Sequence, residues 1–262
     1  MYQLLKISEQ LCDEDHKISV ICCARDAEKY LHECIKSMIE QKMHSFRIMF
    51  LDDCSSDSTC DFAIEILSKS AVPYQVFKSC INLGVPKARN SLIKKCSSPL
   101  IAIHDADDIM MPYRLAMQYS FMDQHNEVSA LGGKAIKIDN DSKFIGTMPY
   151  PPSNHDDILF MLPGKVNPMI DPTMMMRTSV FNSMGGYSEI EEARLAQDFD
   201  LWIRMAKSGC KMANLDIPLI AYRSSDSGLT VTRKNDMIKS HVYVQSSHRQ
   251  FLDKIRRLHV KT

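Results

Sequence analysis

Asp105 and Asp107 stand two residues apart in HDADD, directly after the apolar run LIAI at residues 100–103. In an extended chain that spacing turns both carboxylates to one side. Two hard oxygen ligands with open positions beside them suit Mg²⁺ or Mn²⁺ shared with a substrate diphosphate. A capped turn explains the same pair more simply, since Asp is common in loops and Pro112 marks a following turn or helix start. Three more polar clusters have chemistry to offer. Asp52 and Asp53 end the run RIMFL and lead into Ser55, Ser56 and Asp57, which could hydrogen-bond a base and ribose or only cap a helix. In the cluster of Asn82, Gly84, Arg89 and Asn90, Gly84 permits close backbone approach, and Arg89 suits a base carbonyl or phosphate. Asp198 and Asp200 lie in AQDFDLW, at the start of a predicted helix. A carboxylate there can take a proton from a hydroxyl. Acids at a helix N-terminus are also favourable on their own, by about 0.3–1 kcal/mol, and spacing alone prefers that role. His104 reads as a structural histidine, the Met174-Met175-Met176 run as core filler, and Cys22-Cys23 as thiols with no basic partner to activate them.

The elements that must position these groups follow from hydrophobic patterning. Residues 18–22 (ISVIC), 47–51 (RIMFL), 74–77 and 100–103 predict four short buried strands. Helical spacing appears between them. Leu31, Cys34, Ile35, Met38 and Ile39 follow a candidate cap at Asp26, and Ala63, Ile66 and Leu67 follow Ser55 to Asp57. Ala88, Leu92 and Ile93 follow Gly84-Val85-Pro86, with Pro86 near the first turn. This alternation predicts right-handed crossovers and a mostly parallel sheet covered on both faces. Ligands bind at the carboxyl ends of such strands, where Asp52, Asp53, Asp105 and Asp107 fall. Residues 129–138 predict one or two strands around Gly132-Gly133. Residues 148–152 and 162–168 predict Pro-bearing loops over the site. A helix over 197–208 carries Phe199, Trp202, Ile203 and Ala206 on one face and stops at Gly209. Residues 1–17 read as an extension or an extra helix.

The bulk properties narrow the function classes. A chain of 262 residues, 45% hydrophobic and 24% charged, is an ordinary globular protein. Zero formal net charge argues against general nucleic-acid binding, which needs excess Lys and Arg. Nine cysteines without a C-x-x-C pair give neither a zinc site nor a disulfide framework, and imply reduced thiols in a cytoplasmic protein. No apolar run is long enough to span a bilayer, and no signal segment opens the chain. The tail is basic, with Arg233, Lys234, Lys239, Arg249, Lys254, Arg256, Arg257 and Lys261 against Asp236 and Asp253. Phe251, Ile255 and Leu258 at helical spacing allow peripheral contact with anionic lipid at the inner face of the membrane. A helix packed on its own domain is the simpler reading.

Taken in order from Ile18 to Arg223, the clusters resemble the inverting family 2 nucleotide-sugar glycosyltransferases. ISVICCARD resembles the first strand and donor loop, implying that Cys23, Ala24 and Arg25 line the donor site. LDDCSSDST resembles D-D-x-S-x-D-x-T, with Asp52 or Asp53 at the base. NLGVPKARN resembles N-x-G-x-x-x-A-R-N, with Asn82 and Arg89 near the nucleotide. HDADDIMMPYRL resembles D-x-D-D-x-x-x-P-x-R-L, with Asp105 and Asp107 at ribose and metal. DPTMMMR, from Asp171, and GGY at Gly185 to Tyr187 resemble acceptor-side segments. QDFDLWIR resembles E-D-x-D-L-W-x-R, which makes Asp198 the implied catalytic base, with Gln197 and Trp202 on the acceptor side. Six motifs in order outweigh the helix-start role for Asp198. Two departures stand out: Gln197 replaces a Glu, and Ser224-Ser225-Asp226 replaces a family His near the metal, leaving Asp226 as its candidate substitute.

The resemblance implies a GT-A fold, a Rossmann-like and mostly parallel sheet flanked by helices, with an acceptor-side second half. It divides the chain into an extension (1–17), a catalytic domain (18–230, halves 18–110 and 111–230) and a basic helical tail (231–262). It implies Mn²⁺ or Mg²⁺, a nucleotide-sugar donor of UDP type, a glycan or lipid-linked acceptor, and no nucleic acid. Two other classes compete. A metal-dependent nucleotidyl or phosphoryl transferase would want a Gly-rich loop after the first strand, where CCARDAEKY has no glycine. A catalytically silent nucleotide-sugar or glycan-binding subunit fits the missing His but not the retained Asp105, Asp107 and Asp198.

Overall fold

The computed structural model describes residues 2–8, 16–225 and 229–259. Among the described residues ten strands form one sheet: β1 (Tyr2–Ile7), β2 (Ile18–Ala24), β3 (Phe46–Asp52), β4 (Tyr74–Ser79), β5 (Leu100–Asp105), β6 (Ile109–Met110), β7 (Val128–Ile138), β8 (Phe144–Thr147), β9 (Met175–Arg177) and β10 (Lys211–Arg223). Their order is β1-β4-β3-β2-β5-β9-β7-β10-β6, with β8 pairing on β7. β4, β3, β2 and β5 are parallel, as the alternating pattern predicts. β9 then joins β5 and β7 antiparallel, and β7 runs parallel to β10. The described part of the extension is a strand and not a helix. Tyr2–Ile7 adds an antiparallel edge strand to β4, with Tyr2 edge-on to Phe77 at 6.1 Å. Residues 128–138 form one continuous strand through Gly132-Gly133, because a side chain at Gly132 would collide with Asn214 and Met174.

Helices cover both faces. On one, α1 (Glu28–Ile39), α2 (Thr59–Ser68) and α4 (Arg114–Gln124) bury Leu31, Ile35, Ala63, Leu67 and Leu115 against Val20, Ile48 and Phe50. On the other, α3 (Val85–Ile93), α5 (His155–Met161), α6 (Thr178–Ser183) and α7 (Gln197–Lys207) bury Leu92, Ile158, Phe181 and Trp202 against Ile21, Met49 and Ile101. After α8 (Leu229–Thr232), the last helices α9 (Lys234–Ser247) and α10 (Arg249–His259) join this second core through Val244 and Leu252. The apolar side of the tail is therefore turned inward: Leu252 and Ile255 are buried, and Leu258 stays exposed. Packing on its own domain is what the basic tail does here. No described helix is long and apolar enough to cross a membrane. The described cysteines are all free thiols.

Candidate active site

The parallel strands end flush. In register, Ala24 faces Asp52 across β2 and β3, and Cys23 faces Asp105 across β2 and β5. A row of carboxylates thus meets one edge of the sheet, where open α/β sheets bind ligands. Asp53 turns both oxygens to the next loop, accepting from the Leu83 and Gly84 N–H groups at 2.7 and 2.8 Å. Gly84 takes φ 77°, a conformation that suits glycine, and Asn82 Oδ1 accepts from the same N–H at 3.0 Å. Asp52 is fully buried and accepts from the Ser55 N–H, and its second oxygen has no hydrogen-bond partner among the described residues. Burial raises the Cys23 thiol well above its usual range, although nearby Arg89 opposes the shift. Arg25 is half exposed beside Asp26.

Asp26 does not cap α1. It adopts φ 48° and takes the Ser56 N–H and hydroxyl instead, while Asp57 accepts from the N–H groups of Glu28 and Thr59. Those bonds tie the β2–α1 and β3–α2 loops together into one wall of the cleft. The helix-cap role foreseen for Ser55 and Ser56 is replaced by this cross-loop tie.

The centre of the site is an ion network. Arg89, on α3 and 5% exposed, donates to both Asp105 and Asp171. Burial works against its charge, but Asp105 and Asp171 outweigh it and hold the guanidinium well above its usual range. Tyr187 completes the network with a 2.9 Å hydroxyl bond to Asp171. Asp171, implied on the acceptor side, pairs with the donor-side Arg89, and its charge also reaches Asp198. The GGY turn is held by Asn90, whose amide donates to the Tyr187 carbonyl at 2.8 Å and accepts from the Tyr187 N–H at 2.9 Å. A Cβ at Gly186, which has φ 77°, would lie 2.5 Å from Asn90 Oδ1. Gly186→Ala is expected to lower stability by about 2 kcal/mol in urea unfolding, from left-handed strain plus the displaced amide. An unchanged midpoint would contradict this.

Asp107 lies in the turn after β5. Its carboxyl is pushed up to about 6 by burial and by Asp105. Asp108 is fully buried and rises well above the usual range through burial, Asp107 and Asp105. One of its oxygens accepts from the Arg223 N–H, and the other has no partner among the described residues. This is crowded negative charge of hard donor type, and the Arg223 guanidinium only partly offsets it. Among the described residues, no three His, Cys, Asp or Glu side chains are grouped to enclose a metal. Carboxylate oxygens are the donor type a divalent cation takes, and here substrate oxygens and water would have to supply most of its shell. Asp226 lies outside the described residues.

Asp198 opens α7 and is partly exposed. Burial, then the charge of Asp171, raise its carboxyl to about 7. Beside it Gln197 has a buried Oε1 without a hydrogen-bond partner among the described residues. Trp202 contradicts its expected role. It is 0% exposed in the core, where it packs under α7. Asp200 is also structural: it pairs with Arg204, which donates to the Met184 and Gly186 carbonyls of the glycine turn. His104 is buried beside Arg114, and burial keeps its ring neutral.

Two residues escaped the motif reading. Arg223 bonds the Asp107 and Asp139 carbonyls and Glu33, fixing the turn that carries Asp107. Asn167 donates to Asp198 from the loop at 162–168. The first had a signal in its place beside the departure at Ser224, and the second had none beyond the loop's prolines.

Residues 19–185, well over half of the chain, match Glycosyl transferase family 2. The amylovoran biosynthesis glycosyltransferase AmsE of Erwinia amylovora is 26% identical over 218 residues, covering 83% of this chain and 79% of AmsE. The crystal structure of S. aureus TarS 1–349 in complex with UDP aligns with TM-score 0.62 at 21% identity, over 80% of this chain and 61% of that one. The mannosyltransferase PcManGT from Pyrobaculum calidifontis, in complex with GDP-Man and Mn²⁺, aligns with TM-score 0.64 at 12% identity, over 83% and 59%. The fold is GT-A, as the resemblance implied. The chain belongs to glycosyltransferase family 2 and is a glycosyltransferase.

Proposed function

We propose that the protein transfers a sugar from a nucleotide sugar to a hydroxyl of a glycan or lipid-linked acceptor, with inversion, and that Asp198 is the general base. The observation that carries this reading is the placement of Asp198, partly exposed in the first turn of α7 and within electrostatic reach of the Arg89–Asp171 pair that also holds Asp105; burial and Asp171 raise its carboxyl to about 7. A base poised near operating pH is both ionised and able to accept a proton. Cys23, Ala24, Arg25, Asp52, Asp53, Asn82 and Arg89 line the donor nucleotide, with Asp53 fixing the Asn82–Gly84 loop and Arg89 orienting Asp105 toward the ribose. Gln197 stands beside Asp198 on the acceptor side. Asp107 with Asp105 would hold Mn²⁺ or Mg²⁺, which when bound neutralises charge on the leaving diphosphate. Mn²⁺ beside GDP-Man in PcManGT and UDP in TarS support a metal and a nucleotide donor of either kind, and the family resemblance favours UDP. Work on a polysaccharide is supported by the amylovoran role in the name of AmsE.

The test is metal-dependent turnover with a panel of UDP-, GDP- and dTDP-sugars, read as released nucleotide. One donor should be consumed only with Mn²⁺ or Mg²⁺, and Asp107→Asn should cut that rate by roughly 10²-fold while the fold is kept. Binding of donors without turnover, with or without an acceptor extract, would favour the silent binding subunit instead.

A further inference from the structure

Asp198 does not stand alone at the start of α7. The loop at 162–168 crosses in front of it, and Asn167 Nδ2 donates to Asp198 Oδ2 at 2.7 Å. The amide orientation is settled by chemistry. Asn167 Oδ1 accepts from the Met169 N–H at 3.1 Å, a group that can only donate, so the end facing Asp198 must be the NH₂. Asp198 Oδ2 is thus held by a fixed side-chain donor.

The loop has little structure of its own to hold it. Its backbone is gripped from the C-terminal helices: Gln245 on α9 donates to the Gly164 carbonyl at 2.6 Å, and Arg256 on α10 donates to the Pro163 carbonyl at 2.8 Å. The same tail contacts the other side of the hydrogen bond. His241 on α9 stacks on Phe199, next to Asp198, with ring centroids 4.1 Å apart. His248 Nε2 lies 2.8 Å from Asp200 Oδ1.

We propose that Asn167 is a positioning residue for Asp198, and that α9 and α10 set its geometry by holding the loop at 162–168 and the first turn of α7 together. This rests on Asp198 as the base. A hydrogen bond to the charged form favours ionisation. Arg89, Asp171 and Tyr187 are the charged or titratable groups nearest to Asp198, with Asp200, His241 and His248 grouped behind it about Phe199. Burial and then Asp171 oppose ionisation, the Phe199 N–H and Arg89 favour it, and the Asn167 amide is a further donor to the charged form. The basic tail is then part of the acceptor-side machinery.

The full chain, labelled with ¹³C at aspartate carboxyls, is titrated by NMR, with the Asp198 signal assigned through Asp198→Asn. Asn167→Ala should raise the Asp198 titration by about one pH unit, the size expected for a lost hydrogen bond to a charged group. Turnover should then fall roughly five-fold at pH 7 and recover above pH 9, with KM for the donor unchanged. A purely structural role would lower turnover equally at every pH. An Asp198 titration that stays at its wild-type position overturns the proposal. The surface pair Gln245→Ala with Arg256→Ala should move the titration in the same direction by less. That pair also decides the matter where Asn167→Ala does not fold, and an unmoved titration in it overturns the role of the tail. The NMR readout needs no substrate, so a raised titration together with an active Asp198→Asn enzyme would uphold the Asn167 link and sink the base assignment.

Discussion

Asp198→Asn should reduce transfer by about 10²–10⁴-fold and leave donor affinity unchanged, because the amide keeps the size of the side chain but cannot accept the acceptor's proton. The contrast between kcat and KM is the useful part. The donor lies against Asp53, Arg89 and Asp105, which the substitution does not touch, so isothermal titration with the donor should give the wild-type Kd. The wild-type enzyme should also show an acid limb. With the carboxyl at about 7, the ionised base is scarce below that pH, and kcat should rise as pH increases through it. In Asp198→Asn the residual rate should lose this limb. A variant with near-normal transfer, or a residual rate with the same limb, would remove Asp198 from the chemistry.

The second large effect concerns Arg89. Its side chain is 6% exposed and bridges Asp171, 8% exposed, and Asp105, 33% exposed. Breaking a buried pair by removing one partner leaves an uncompensated charge, at a cost of about 3–5 kcal/mol. Arg89→Met should destabilise by that order in urea unfolding near neutral pH, with Asp171 carrying most of the cost because Asp105 still reaches solvent. The sign with pH follows. Burial already raises Asp171, and without the guanidinium it rises further. The deficit should be smallest below the unfolded-state value of about 3.9 and grow as pH climbs toward the raised folded value. Adding Asp171→Asn should restore part of the loss, since the orphaned charge is gone. A deficit that ignores pH, or a double variant less stable than Arg89→Met, would show that the network is not held by charge.

The donor half was legible because its signals are local. Short β-branched runs alternate with amphipathic helices, and each acidic cluster follows a strand, so Asp52, Asp53 and Asp105 could be placed at one sheet edge before any contact was known. The acceptor half depends on pairings that sequence patterning does not carry. β9 is three residues long and antiparallel inside a parallel sheet, and no periodicity announces it. Asp171 joins Arg89 across 82 positions, and Asn167 reaches Asp198 from an irregular loop. Trp202 shows the converse. Its motif neighbours suggested an acceptor contact, while its side chain is 0% exposed in the core. The caps at Asp26 and Ser55 failed for a related reason: both side chains found partners on the neighbouring loop, which competes with the helix start. Charge composition read the tail correctly as basic, but only packing shows that Leu252 and Ile255 face inward.

The central claim is a single displacement with Asp198 as base, and the most direct measurement is the anomeric configuration of the first product. ¹H NMR of the transferred sugar, recorded during early turnover with the donor selected by the panel, should show the configuration opposite to the donor's. Retention of the donor configuration would contradict the account, because it calls for a nucleophile or an ion-pair route that assigns Asp198 no role as base.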